Sequence, residues 1–272
     1  MTPDEWARIC SEVAAAMTAH IRPFVTPLTF SSDTGVHLVG SGSFVMFEGR
    51  HILLTCEHVR AKGGVDYLLY GSEYDVPKHP GPWIEDERPS LDVAIAGMSD
   101  PLWNATPHSA MPVPYERFAA KHQPVQKEEL LFFRGFAGEN ARYAFRVHEA
   151  NGIGYCSQQK QVSDAPDPSV FEIFWQPQET KFASGVNDEA RSAIKFDDPG
   201  GFSGSLVWNT RYLECQKSGR AWTPQSAVVT GLLRRWDPDT NTLLVWRVEN
   251  LRAWIEGGAV NNLRLLGGEK GV

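Results

Sequence analysis

Gly40-Ser-Gly-Ser-Phe-Val-Met-Phe-Glu-Gly-Arg-His-Ile-Leu-Leu-Thr-Cys-Glu-His-Val59 reads as a β-hairpin. A Gly–Arg turn at residues 49–50 separates two apolar runs, and the second delivers Thr55-Cys56-Glu57-His58 to the end of a strand. A histidine held there can present its ring rigidly to a cleft, as a general base must. Alone the segment says little, because a single His among apolar residues usually serves packing.

Outward from this hairpin the same texture continues. Short β-type runs fall at Val36–Val39, Ser43–Phe47, His51–Thr55, Asp66–Tyr70 and Val93–Ala96. A second set falls at Leu130–Arg134, Tyr143–His148, Val170–Trp175, Ser205–Trp208, Ala227–Leu233 and Thr242–Val248. Many short strands with almost no helix between them predict an all-β, antiparallel sandwich or barrel. Proline-rich Pro101–Lys127 reads as the link between the two strand clusters, and polar Gln176–Ile194 as a long surface loop. Before them, Trp6, Ile9, Val13, Met17 and Ile21 recur at helical spacing, so Pro3–Ile21 is expected to be one helix lying against the body. Asn250–Glu256 reads as a short terminal helix, followed by a Gly-rich tail.

Two further segments carry chemistry. In Leu91-Asp92-Val-Ala-Ile-Ala96 a carboxylate enters an apolar strand. Burying it is expensive unless something donates a hydrogen bond to it, and an imidazole N–H is a suitable donor whose tautomer the contact would fix. Asp86 and Asp100 flank it, but neither opens an apolar strand. In Asp197-Asp-Pro-Gly-Gly-Phe-Ser-Gly-Ser-Leu-Val-Trp208 a serine sits among glycines just before a strand. Gly201 and Gly204 permit positive φ and close approach of a carbonyl, so the turn can aim backbone N–H groups at one point, as an oxyanion hole requires. A plain β-turn with a solvent-facing Ser203 fits the local sequence equally well. A strand–turn–helix nucleophile elbow does not, because Gly-x-Ser-x-Gly is incomplete and β-prone residues follow.

Taken together and in chain order, the three segments resemble the trypsin-like serine peptidases. Thr55-Cys-Glu-His58 is similar to that family's Thr-Ala-Ala-His, Asp92-Val-Ala-Ile95 to its Asp-Ile-Ala-Leu, and Gly201-Phe-Ser-Gly204 to its Gly-x-Ser-Gly. Leu251-Arg-Ala-Trp-Ile255 is similar to its closing C-terminal helix. The resemblance implies two antiparallel β-barrels: residues 24–115 with His58 and Asp92, and residues 116–257 with Ser203. A helical appendage at 1–23 and a flexible tail at 258–272 complete the expected organisation. It implies a catalytic triad of His58, Asp92 and Ser203, an oxyanion hole from the N–H groups of Gly201 and Ser203, and an acyl-enzyme formed without metal or organic cofactor. Asp197, six residues before Ser203, or the adjacent Asp198 if the alignment slips by one, would stand at the base of the specificity pocket and favour Lys or Arg, with Trp236 at its entrance. Arg234 or Arg235 could neutralise Asp197. The alternative is a catalytically inactive trypsin-like domain that binds protein.

The chain departs from the family in two ways. No cysteine in the hairpin could pair with Cys56. Phe202 stands where animal members place the Asp that captures a freshly cut N-terminus, so that route of activation is closed, and Gln176–Ile194 is the expected site of any gating by a loop or a regulatory partner.

Bulk properties narrow the rest. A formal charge of -7 over 272 residues, with no Lys/Arg block, gives no basic face for nucleic acid. No run approaches the roughly 18 apolar residues that would span a bilayer. The N-terminus carries acids where a secretory signal carries bases, and the four cysteines have no metal-knuckle or redox spacing. The expectation is a cytoplasmic enzyme acting on protein or peptide substrates.

Overall fold

A computed structural model of the chain describes residues 2–33, 35–72, 78–86, 91–144, 147–161, 167–179, 198–260 and 262. Asp197 and residues 180–194 of the expected surface loop therefore lie outside the described residues.

The first helix, α1 (Pro3–Ile21), starts on a capping box: Thr2 Oγ1 accepts the Glu5 N–H, and Glu5 Oε2 accepts the Thr2 N–H. Its stripe of Ile9, Val13, Met17 and Ile21 is buried. The first sheet follows: β1 (Val25–Ser32), β2 (Gly35–Phe47), β3 (Arg50–Thr55), β4 (Val65–Tyr67), β5 (Trp83–Glu85), β6 (Ala94–Gly97) and β7 (Val113–Pro114). Their order is β4-β1-β2-β3-β6-β5, all antiparallel, with β7 added in parallel to β2. Two short helices interrupt it, α2 (Glu57–Arg60) and α3 (Asp100–Trp103).

The second sheet holds β8 (Leu130–Ala144), β9 (Val147–Gln158), β10 (Val170–Phe174), β11 (Leu206–Asn209), β12 (Val228–Asp237) and β13 (Thr242–Arg247). Its antiparallel order is β10-β13-β12-β11-β8-β9, and a Gln159–Ile173 bridge joins the two ends so that the sheet closes on itself. The C-terminal helix Val248–Trp254 follows, burying Val248, Leu251 and Trp254.

Strands of the second sheet are buried on both faces, which is why they read as continuous apolar runs. Along β8, Leu131 and Phe133 enter the core inside the second sheet, while Leu130 and Phe132 join the larger core shared with the first sheet and α1. On β11, Val207 points one way and Leu206 and Trp208 the other. At these positions side chains on both faces find apolar neighbours.

Several expected elements differ from those observed. Val36–Val39 and Ser43–Phe47 are one continuous β2, because Gly40 and Gly42 pack under Val59 and Leu53 instead of turning the chain. Of the run Tyr143–His148, Tyr143 and Ala144 end β8, Val147 and His148 begin β9, and residues 145–146 lie outside the described residues. Within Pro101–Lys127 the chain forms part of α3, β7 and a 3-10 turn at Tyr115–Arg117. Strand β1, with Pro27 inside it, and the helix Tyr212–Lys217 carried no signal in the sequence.

The helix α1 packs on β8 and β9, where Gly154 clears space for Thr18. Fully buried Met17 lies at the centre of that contact stripe. Met17→Ala is expected to destabilise the chain by about 2–5 kcal/mol. Chemical denaturation measures this; a loss near zero would mean that the helix contributes nothing to the folded unit.

Candidate active site

Antiparallel register brings the first two candidate residues together. Thr55 at the end of β3 is paired with Ala94 at the start of β6. His58 lies three residues beyond Thr55 and Asp92 two residues before Ala94, so both overhang the same edge. Neither sits in its strand: His58 is in the first turn of α2, and Asp92 is in the segment leading into β6. The Asp92 carboxylate accepts two hydrogen bonds from one residue, from the His58 backbone N–H at 3.0 Å and from the ring Nδ1 at 2.7 Å. An ionised carboxylate only accepts, so the second bond puts the proton on Nδ1 and leaves Nε2 as the free base.

Burial pushes the Asp92 carboxyl up, but the His58 hydrogen bonds and charge, with a smaller contribution from Arg234, outweigh it and hold the group below its usual value. Arg234 on β12 places its Nε 3.7 Å from Asp92 Oδ2 while its guanidinium lies 4.7 Å over the Trp246 ring. The sequence offered Arg234 or Arg235 as a counter-charge for Asp197, which lies outside the described residues; among the described residues Arg234 pairs with Asp92. Trp236, expected at a pocket entrance, is half-buried and packs its ring on the core of the second sheet.

Ser203 sits in the turn that precedes β11. The turn needs its glycines: Gly201 has φ +105° and Gly204 φ +91°. A Cβ on Gly204 would collide with Ser41 O and Thr55 Oγ1, and one on Gly201 would come 2.5 Å from Phe136 O. Phe202 between them is 1% exposed and plugs the core of the second sheet, 5.2 Å from the Phe133 ring and 5.7 Å from that of Trp175.

Ser41 fastens this turn to the first sheet. Its N–H donates to Ser203 O at 2.9 Å, its hydroxyl donates to Gly201 O at 2.8 Å and accepts the Phe136 N–H at 2.9 Å, and its carbonyl accepts Thr55 Oγ1 at 2.7 Å. The Leu233 carbonyl makes a second tie, accepting the Gly204 N–H at 2.9 Å and the Cys56 thiol at 3.3 Å. The turn carrying Ser203 and the strand end leading to His58 therefore share two anchors, Ser41 and the Leu233 carbonyl. The only hint of Ser41 in the sequence was a serine flanked by Gly40 and Gly42. Among the described residues the N–H groups of Gly201 and Ser203 have no hydrogen-bond partner, and the Ser203 hydroxyl makes no hydrogen bond to His58.

Cys56 Sγ and ligand atoms of His58 and Asp92 lie within 4.8 Å of one another, a spacing that could hold a metal ion. Burial, and then the Asp92 charge, push the Cys56 thiol well up, so it is a protonated donor to Leu233 O. Each of the three groups already has its hydrogen-bond partner, and the cluster is satisfied by protons. A cavity of about 580 Å³ lies at the opposite end of β3, lined by Arg50, His51, Asp100 and Val260, away from His58.

The two antiparallel sheets match the two-barrel fold of the trypsin-like serine proteases. Among solved structures the chain is similar to the Rv3671c protease of M. tuberculosis in its active form, with TM-score 0.52 and 17% identity over 96% of this chain and 88% of that one. It is also similar to mouse neuropsin, a serine protease expressed in the limbic system of the brain, with TM-score 0.52 and 11% identity over 88% of this chain and 95% of that one. No protein-family model matches the sequence, and no curated protein does. What they share is the two-barrel β architecture; this chain adds an N-terminal helix and a short C-terminal helix.

Because the Asp92 pKa is lowered on folding, its contribution to stability is full above the unfolded value and fades as pH falls through the native one. The stability gap between wild type and Asp92→Asn should be flat above about pH 5 and shrink at lower pH. Denaturation midpoints across pH 2–7 (roughly the range in which carboxylates titrate) check this; a gap that widens on acidification would contradict the assigned hydrogen bonds.

Proposed function

We propose that the chain is a serine endopeptidase in which Ser203 attacks the scissile carbonyl, His58 is the general base and Asp92 holds and charges the imidazole. The observation that carries the reading is the double hydrogen bond from His58 to Asp92, which fixes one tautomer and leaves Nε2 available. Ser203 Oγ would lose its proton to Nε2 as it bonds to the carbonyl carbon. The oxyanion would be met by the Gly201 and Ser203 N–H groups, held ready by the positive-φ glycine and the buried Phe202. Return of the proton to the leaving amine gives the acyl-enzyme, and water activated by His58 hydrolyses it.

The substrates are proteins or peptides, and no cofactor takes part in these steps. We assign the enzyme to the cytoplasm, a reading supported by four free cysteines. Among the described residues no helix is long and apolar enough to cross a membrane.

A second reading, a catalytically inactive domain that binds protein, is favoured by one observation: the Ser203 hydroxyl is not hydrogen-bonded to His58. Hydrolysis separates the two. Ser203→Ala and His58→Ala should each abolish nearly all peptide turnover, with the double variant little worse, because the groups act as a unit. Asp92→Asn should lose roughly 10⁴-fold by presenting the wrong tautomer, as in the serine-protease template. Additive losses would show one of the two misassigned, and absence of any Ser203-dependent turnover in folded protein would favour the binding domain.

A further inference from the structure

Arg134 on β8 is the most deeply buried guanidinium among the described residues, 9% exposed, and it has no hydrogen-bond or ion-pair partner there; its Nε is fully enclosed. Antiparallel pairing sets it opposite Gly154 and beside the Phe136–Gly152 pair, on the face of the sheet covered by α1. The two glycines leave the room it occupies. A Cβ on Gly152 would come 2.9 Å from its Nη2, and Thr18 of α1 lies over Gly154.

Four residues beyond Thr18, on the same helical face, is Arg22, the C-cap of α1, whose N–H bonds Thr18 O. The Arg22 guanidinium lies 4.7 Å over the Tyr70 ring and is exposed. Burial, and then the charge of Arg22, lower the Arg134 pKa to about 10. Among the described residues no carboxylate pairs with Arg134.

A guanidinium stays protonated in proteins, so Arg134 cannot escape its desolvation by losing a proton. A charge buried without a partner is strongly destabilising, and here a second cation adds repulsion. A small oxyanion removes both penalties at once, because a guanidinium matches a phosphate or carboxylate group with paired N–H donors.

We propose that Arg134 and Arg22 form a binding site for a small free oxyanion of the phosphate or carboxylate class. Arg134 is the buried cation of the site and Arg22, stacked over Tyr70, the exposed one. The anion joins α1, β8 and β9 and ties the first helix to the second barrel.

Thermal unfolding of the full chain tests the site, with inorganic phosphate or acetate added against sodium chloride at equal ionic strength. A saturable rise in melting temperature with either oxyanion is the expected result, and its size with phosphate relative to acetate assigns the ligand class. In Arg134→Met the rise should vanish, or binding weaken roughly ten-fold or more, while the variant in chloride melts at or above wild type. Should Arg134→Met not fold, Arg22→Ala carries the test: it alters an exposed side chain and should weaken phosphate binding several-fold. No rise beyond chloride, or the same rise in Arg22→Ala as in wild type, would overturn the proposal. Ser203→Ala should respond as wild type does, which keeps the outcome independent of the protease reading.

Discussion

Phe202 is buried among Phe133 and Trp175 in the core of the second barrel, and the residues on either side of it form the turn that carries Ser203. An aromatic side chain of this size, fully desolvated, stabilises by several kcal/mol on the scale of about 3–5 kcal/mol lost when such a residue is truncated. Its ring cannot leave the core without opening it, so the backbone of Gly201 and Ser203 is held wherever Phe202 is held. The turn is anchored by this packing together with the hydrogen bonds of Ser41 and the Leu233 carbonyl.

The second constraint is the burial of Asp92. A carboxylate removed from water must be satisfied, and both His58 donors converge on it while Arg234 adds charge from the other barrel. Ser41 and the Leu233 carbonyl then link this pair to the Ser203 turn across the two sheets. The site is thus a product of the barrel interface: each barrel supplies one half, and backbone hydrogen bonds set the spacing between them.

Much of this was legible in the sequence because the deciding residues are local. The turn glycines sit beside Ser203, His58 follows an apolar strand, and Asp92 precedes one. Helix α1 declared itself through a regular apolar stripe. What remained hidden depends on distant pairing. Gly40 and Gly42 look like turn residues, yet Val59 and Leu53 pack where their side chains would be, and β2 runs straight through. Ser41 gains its role from Gly201 and Phe136, 160 and 95 residues away. Arg234 could be placed near the site but not assigned its partner, since β12 must first be laid against the first barrel.

The central claim is that Ser203 is an activated nucleophile, and covalent labelling measures it most directly. Incubation of the folded chain with a fluorophosphonate, followed by intact mass and peptide mapping, should give one adduct on Ser203 that His58→Ala prevents. An unlabelled protein, or an adduct on another residue with Ser203 untouched, would contradict the account.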